Sequence, residues 1–294
     1  MHWLRRIAVT FVVTTAMSVT ALPAAMATES PLASVLVFTK AQPPENAHAV
    51  TSEAVNLLEM NARRYSFSME ATDDADAFTT ENLSEYDVVL WLNTSGDVLN
   101  AAQRDAFIDW VRDGGGFVGI HAAARAHPGW DEYRQLVGPN VISDEDAATA
   151  EEDVTVDTSH PSTDDAPAQI ESVSDQWYSF ERNPMDQADT TILATVDHGP
   201  DGQLPVAWCR SYGDGRSWYT VMGHSLSTFE EGDYMSLLRG GIWWAADVKG
   251  DPQVSTAAAA PQWPYMASFL ILVASVAAGG AVAVTKLNRG DGWG

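Results

Sequence analysis

The chain has 294 residues, of which 40 are Asp or Glu and 16 are Lys or Arg, so its formal net charge at pH 7 is −24. Such an acidic surface repels phosphate backbones, which argues against a nucleic-acid partner. Cys209 is the only cysteine, so an intrachain disulfide is excluded and the fold must depend on its hydrophobic core.

The first part of the sequence has the pattern of a secretory leader. Arg5 and Arg6 precede an apolar stretch, which is followed by Ala25-Met26-Ala27, the small-x-small form of a signal-peptidase site. We therefore predict that residues 1–27 are a signal peptide and that the mature chain begins near Thr28.

The last part of the sequence has the pattern of a membrane anchor. Residues 265–286 hold an uninterrupted uncharged run long enough to cross the hydrocarbon core as a helix, and Lys286 and Arg289 come directly after it. The positive-inside rule then places residues 287–294 in the cytoplasm and the acidic central part outside the cell membrane, with a single pass through the bilayer. Residues 249–264, rich in Ala and Pro, are interpreted as an exposed stem.

Residues 31–248 remain as one domain, and its first half alternates strands and helices. Hydrophobic periodicity predicts strands over 34–39, 65–71 and 87–92, and helices over 49–63 and 100–113. A further apolar run, which follows the glycines after Asp113 and ends at His121, is predicted as a buried parallel strand. Asn100 and Gln103 have the spacing of a capping box at the start of the second helix. This order favours an α/β fold in which a mostly parallel sheet carries helices on both faces.

The second half of the domain is richer in strands. The sequence predicts a short helix over 130–137, a loop over 143–153, an extended aromatic segment over 175–180 and a strand over 191–196. A tight turn at 213–216 joins two further runs, over 205–212 and 217–222, into a β-hairpin. A buried helix over 234–246 completes the domain.

Two of the predicted strands end in a histidine. The buried run before His121 and the second hairpin strand before His224 each end abruptly at an imidazole. The carboxyl edge of an open α/β sheet is where such folds bind ligands, so both rings are candidate catalytic groups, either as acid and base or as metal ligands. A core histidine bonded to a backbone carbonyl is the alternative interpretation for each.

Other polar residues are predicted to face the same crevice. Thr94 and Asp97 lie in the turn after the third strand, and His48 lies in the loop after the first. Ordinary turn chemistry explains Thr94 and Asp97 equally well. Histidines at unlinked spacings are a weak metal signal, so an unassisted polar pocket is favoured, no cofactor is predicted, and a divalent metal is the less favoured option.

The combination of several short motifs resembles the trehalose-utilisation (ThuA-like) family over about residues 35–248. The matching stretches are Tyr86-Asp-Val-Val-Leu90, Thr94-Ser-Gly-Asp97, Gly114-Gly-Gly-Phe-Val-Gly-Ile-His-Ala-Ala123, His160-Pro-Ser-Thr163, Trp177-Tyr-Ser-Phe180, Gly223-His224 and Gly240-Gly-Ile242. The resemblance implies a flavodoxin-like sheet similar to that of class I glutamine amidotransferases, in which His121 stands where those enzymes carry a nucleophilic cysteine.

This sequence departs from that pattern in ways that bear on activity. An imidazole at position 121 cannot form a thioester, and Leu226 stands where a triad carboxylate would follow His224, so glutaminase activity is not expected. Within the ThuA-like family, Gln176 replaces an expected acidic residue, and Ile142-Ser-Asp144 replaces a usual histidine-proline pair.

The family name implies sugar metabolism. Trp130, Trp177 and Tyr178 are candidate stacking surfaces for a sugar ring, and Asp97 and Glu230 are candidate hydroxyl acceptors, although aromatic residues also fill cores. We therefore expect an extracytoplasmic, membrane-anchored protein that acts on or binds a carbohydrate or glycoside. A non-catalytic surface binding module with the same fold is the alternative.

Overall fold

The computed structural model describes residues 31–43, 49–65, 67–142, 149–197 and 202–248. The predicted signal peptide, stem, membrane helix and cytoplasmic tail lie outside these ranges, as does His48. No helix within the ranges is long and apolar enough to cross a bilayer.

Nine strands and six α-helices form the described domain. The strands are β1 (Ala33–Phe38), β2 (Phe67–Thr72), β3 (Val88–Leu92), β4 (Gly116–Ile120), β5 (Ala150–Val156), β6 (Gln169–Asp175), β7 (Thr191–Asp197), β8 (Gln203–Tyr212) and β9 (Gly215–Thr220). The helices are α1 (Thr51–Arg64), α2 (Thr80–Leu83), α3 (Ala101–Arg112), α4 (Asp131–Val137), α5 (Leu226–Glu230) and α6 (Gly232–Ala245). A 3₁₀ turn over His121–Arg125 directly follows β4.

The strands form one mixed sheet in the order β2-β1-β3-β4-β9-β8-β7-β5-β6. The five strands from β2 to β9 run parallel, in the order of a flavodoxin-like sheet. All pairs from β9 to β6 are antiparallel. The expectation of a mostly parallel sheet is therefore wrong, because the antiparallel extension contributes as many strand pairs as the parallel half.

Helices cover both faces of the parallel half, as predicted. On one face Trp91 of β3 stacks on Phe107 of α3, with ring centroids 5.4 Å apart. On the other face Gly241 of α6 lies so close to Trp218 of β9 that an added Cβ would come within 2.5 Å of the indole. Burial on both faces explains why β3 and β4 read as continuous apolar runs.

Two strands of the antiparallel half escape the sequence prediction. β5 begins inside the segment predicted as a loop, and β6 has no predicted counterpart. β5 buries two of its seven residues and β6 three of seven, so acidic and hydroxyl side chains interrupt their apolar pattern. β6 is an edge strand of the sheet, where such polar residues are common. The capping box of α3 is confirmed, since Asn100 and Gln103 bond each other's backbone amides.

Candidate functional site

The carboxyl ends of three neighbouring parallel strands, β3, β4 and β9, bring Asn93, His121 and Gly223 together. The Asn93 amide N–H donates to the carbonyl of Ile120 at 3.3 Å. Its side-chain Nδ2 donates to the carbonyl of Gly223 at 3.2 Å. Asn93 and His121 both have left-handed backbones, with φ of 54° and 50°. Non-glycine residues rarely adopt this conformation, and such strain is concentrated at functional sites.

His121 is completely buried, and both of its ring nitrogens are hydrogen bonded. Nδ1 lies 2.7 Å from the carbonyl oxygen of Val221. Because a carbonyl can only accept, Nδ1 carries the proton of the neutral ring and Nε2 presents its lone pair. The Tyr178 hydroxyl lies 2.8 Å from Nε2 and donates to it. The fold therefore selects one tautomer of His121 and makes it a base toward a phenol.

Tyr178 links the histidine to a cation. Its ring stacks on the His121 ring with centroids 4.5 Å apart, and the Arg125 guanidinium hydrogen bonds to the phenol oxygen. Burial raises the pKa of Tyr178, while Arg125 opposes that rise because it stabilises the phenolate. The chain Arg125–Tyr178–His121 can thus hold a proton between phenol and imidazole with a positive charge beside it.

His224 is the half-buried member of the group. Its ring meets the His121 ring edge-on, with centroids 5.1 Å apart. Its backbone amide donates to Asp175 at 3.0 Å, and the amide of Gly223 donates to the same carboxylate at 2.8 Å. Since His121 is sealed off from solvent, His224 and the half-buried Arg125 are better placed to touch a ligand.

Asp175 is a fully buried carboxylate that organises the turn carrying His224. Besides those two amides, it accepts hydrogen bonds from the Gln176 amide and from the Thr228 hydroxyl. Burial raises the pKa of Asp175, and these four hydrogen bonds oppose the rise. All of its ordinary acceptor capacity is directed at the protein, so its role is to position His224.

Thr94 and Asp97 are used within the fold. The Thr94 hydroxyl donates to the carbonyl of Phe38 at 2.7 Å, which ties the ends of β3 and β1 together. The Asp97 carboxylate lies 3.2 Å from Nδ1 of His127 and is itself mostly exposed. Nε2 of the buried His127 accepts the amides of Val98 and Leu99, so the pair holds the chain leading into α3.

The three predicted stacking residues have different surroundings in the fold. Trp130 packs on Tyr133, with centroids 5.4 Å apart, and only 7% of its surface is exposed. Trp177 donates its indole N–H to the carbonyl of Ala150. Glu230 is exposed at the end of α5. Tyr178 is the member of the predicted binding set that contacts His121.

Cys209 has the environment of a core residue. It is buried in β8, with Sγ 3.5 Å from Nε2 of His160, and burial raises the pKa of its thiol to about 12. A thiol in this state is not a nucleophile. Among the described residues, no group of three or more His, Cys, Asp or Glu side chains is arranged to hold a metal ion.

Sequence reasoning missed three residues of this cluster: Asn93, Arg125 and Asp175. The signal for Asp175 was present, because an acidic residue is expected just before Trp177-Tyr178 and one stands a single position earlier than expected. Asn93 and Arg125 carried no comparable signal, since asparagine is common in turns and Arg125 follows an unremarkable alanine run.

The fold and this cluster define an α/β protein with a polar site at the carboxyl edge of a flavodoxin-like half-sheet. The ThuA family model, described as trehalose utilisation, matches residues 34–245. The chain belongs to the ThuA family. A comparison with curated proteins gave no significant match.

Solved structures of similar fold agree with this assignment. A thua-like protein of Bacteroides uniformis ATCC 8492 is 28% identical, with a TM-score of 0.63 over 76% of this chain and 95% of its own. One from Parabacteroides merdae ATCC 43184 is 23% identical, with a TM-score of 0.59 over 77% and 94%. A β-galactosidase of Bacillus circulans sp. alkalophilus shares the fold at 15% identity and a TM-score of 0.51, over 74% of this chain and 32% of its own.

Proposed function

We propose that this protein binds a carbohydrate or glycoside at the crevice formed by the ends of β3, β4 and β9, and acts on it by proton transfer. The support for the substrate class is the description of the family, trehalose utilisation. The observation that carries the chemistry is the hydrogen bond from Tyr178 to Nε2 of His121, in which the backbone fixes the tautomer and Arg125 flanks the phenol.

The roles proposed for the residues of the site follow from how exposed each side chain is to solvent. His224 meets the ligand and moves a proton to or from a hydroxyl or carbonyl oxygen, because histidine is the side chain that most often acts as general acid or base in enzymes. The Arg125–Tyr178–His121 chain lies behind His224. It responds to the change of charge on His224 by holding its own proton on the phenol or on the imidazole. No described carboxylate pair flanks the site, and Asp175 is fully engaged, so hydrolysis by two carboxylates is not part of the proposal.

We further propose that the domain works outside the cell membrane, anchored by residues 265–286 after removal of residues 1–27. The support is the sequence pattern of the two flanking segments.

A binding module without catalysis is the second candidate. The observation in its favour is the structural use of Asp175, a carboxylate bonded to the histidine turn, since catalysis on sugars usually needs a free acid. The two candidates share the crevice and differ in whether the ligand is changed.

The test uses the full-length chain with trehalose and methyl glucosides as probes. We expect saturable binding by calorimetry and slow conversion of one probe followed by NMR. Tyr178→Phe should leave binding within a few-fold and abolish conversion, whereas His224→Ala should weaken both. Arg63→Ala, an exposed residue of α1, is the control.

Binding without conversion by the wild-type chain would favour the binding module. Absence of binding to every probe, in a folded chain, would contradict the carbohydrate proposal.

A further inference from the structure

A cavity that shares no lining residue with the histidine cluster lies on the α4 side of β8. Its volume is about 560 Å³, the size of a small-molecule site. The end of α4, the segment around Arg182 and the middle of β8 line it, and none of its lining residues is aromatic. Three of the eleven Lys and Arg residues in the described ranges converge here: Arg134, Arg182 and Arg210.

The floor of this cavity is cationic and its rim is acidic. The Arg210 side chain is only 3% exposed, and its nearest carboxylate, Asp189, is 3.8 Å away and 70% exposed. Asp131 and Glu181 also lie in solvent at the rim. A buried charge needs a close counter-charge, and a solvated carboxylate at that distance supplies little. Burial lowers the pKa of Arg210, in keeping with a cation that lacks compensation.

The guanidinium groups of Arg134 and Arg210 are fixed by hydrogen bonds, but each keeps one N–H donor without an acceptor. Arg210 donates to the carbonyl of Gln135 and to the side-chain oxygen of Gln187, and Arg134 donates to the carbonyls of Ala124 and Ala126. The Nε of each arginine has no hydrogen-bond partner. Two buried N–H donors on residues that line the same cavity therefore lack acceptors.

An acceptor in the cavity also lacks a donor. The Asn140 amide is oriented by its Nδ2, which donates to Glu181 at 3.2 Å, and this leaves buried Oδ1 without a partner. A ligand that satisfies all three groups must combine an anionic acceptor with a hydroxyl donor. The fork geometry of guanidinium matches a carboxylate.

We propose that this cavity is a binding site for a small hydroxylated carboxylate, of the sugar-acid or hydroxy-acid class, with its carboxylate on Arg210 and Arg134 and a hydroxyl on Asn140. The site is separate from the histidine crevice. Arg134 connects the two, because the carbonyls it holds flank Arg125.

The experiment titrates the full-length chain with D-gluconate, with sorbitol, which has the same skeleton without the carboxylate, and with inorganic phosphate. Calorimetry should show saturable gluconate binding that weakens as salt is added, about tenfold weaker phosphate binding and no sorbitol binding. Arg210→Gln should abolish gluconate binding. Arg182→Glu, at an exposed rim position, should weaken it about tenfold without unfolding the chain, because it replaces one of the three cavity cations with a negative charge that repels the carboxylate.

Arg63→Glu makes the same charge change on α1 and should leave gluconate affinity unchanged, and so should His224→Ala, which separates this site from the crevice. The proposal is overturned if the wild-type chain does not bind gluconate, if sorbitol or phosphate binds as tightly, or if Arg182→Glu has no effect. None of these results decides the carbohydrate proposal for the histidine site, which has its own test.

Discussion

The carboxylate of Asp175 accepts the backbone amide of His224 at 3.0 Å, so the turn carrying this imidazole is fixed by a strand four positions away in the sheet. The antiparallel extension, which ends in β6, thereby contributes to a site built on the parallel half. Without it, the residues after β9 would lack their main hydrogen-bond acceptor.

Asp175→Asn is expected to destabilise the domain and to impair His224. Each carboxylate oxygen of Asp175 accepts two hydrogen bonds. In the variant an amide nitrogen replaces one oxygen, and it cannot accept the two hydrogen bonds made there. Leaving buried donors unsatisfied costs about 1 to 3 kcal/mol of unfolding free energy. Denaturant unfolding of the variant measures this, with exposed Asp186→Asn as the control; equal stability of both would contradict the role given to Asp175.

The two histidines should respond differently to alanine. His121→Ala removes two buried hydrogen bonds and should cost about 1 to 3 kcal/mol of unfolding free energy, whereas His224→Ala, at a half-buried ring, should cost less than about 1 kcal/mol. Both should weaken binding of a sugar probe, and the double variant should lose less than the sum because the rings act together. Thermal melts and calorimetry of the three variants check this; additive losses would indicate independent roles.

The parallel half of this fold was readable from the sequence because buried strands leave continuous apolar runs, as in β3 and β4. The antiparallel extension was not, because β6 buries only Ile170, Val173 and Asp175. In the site, strand ends identified His121 and His224 directly. Tyr178 was identified for its aromatic face, while its hydroxyl makes the decisive contact. That contact joins segments 57 residues apart, which no local pattern specifies.

Acid should destabilise the domain through His127. Burial lowers the pKa of this imidazole from 6.5 to about 4, because a charged ring would lose its hydration. Its Nε2 accepts two backbone amides, and protonation would break these hydrogen bonds. The unfolded chain takes up the proton first, so the contribution is fully present above pH 6.5 and is lost as the pH falls toward 4. The lowering of the pKa from 6.5 to about 4 corresponds to about 3 kcal/mol of unfolding free energy.

The measurement for His127 is the unfolding free energy between pH 7 and pH 4, compared with that of His127→Gln. The variant should be less stable at pH 7 and should show a flatter pH dependence. Parallel curves for the two proteins would assign the acid sensitivity to other groups.

The membrane topology predicted from the flanking segments is testable in cells that produce the protein. Protease added to intact cells should release a fragment that includes residues 31–248 and begins near Thr28, because the central domain is predicted to face outward. N-terminal sequencing identifies the start. A domain that is protected until the cells are lysed would contradict this topology.

Gly223→Ala should disturb the site from the side opposite Asp175. Gly223 has φ of 124°, and a Cβ built on it would lie 2.5 Å from Cγ2 of Ile120, the residue before His121. The variant therefore combines backbone strain with a clash between the ends of β4 and β9.

Gly114 is a matched control, because its φ is 121° and an added Cβ meets nothing within 4 Å. Gly114→Ala should cost only the strain, about 1 to 3 kcal/mol, whereas Gly223→Ala should cost more and should also weaken sugar binding by moving His224. Denaturant unfolding and calorimetry of both variants separate the two effects, and an equal loss of stability with unchanged binding would show that the contact between Gly223 and Ile120 does not position the site.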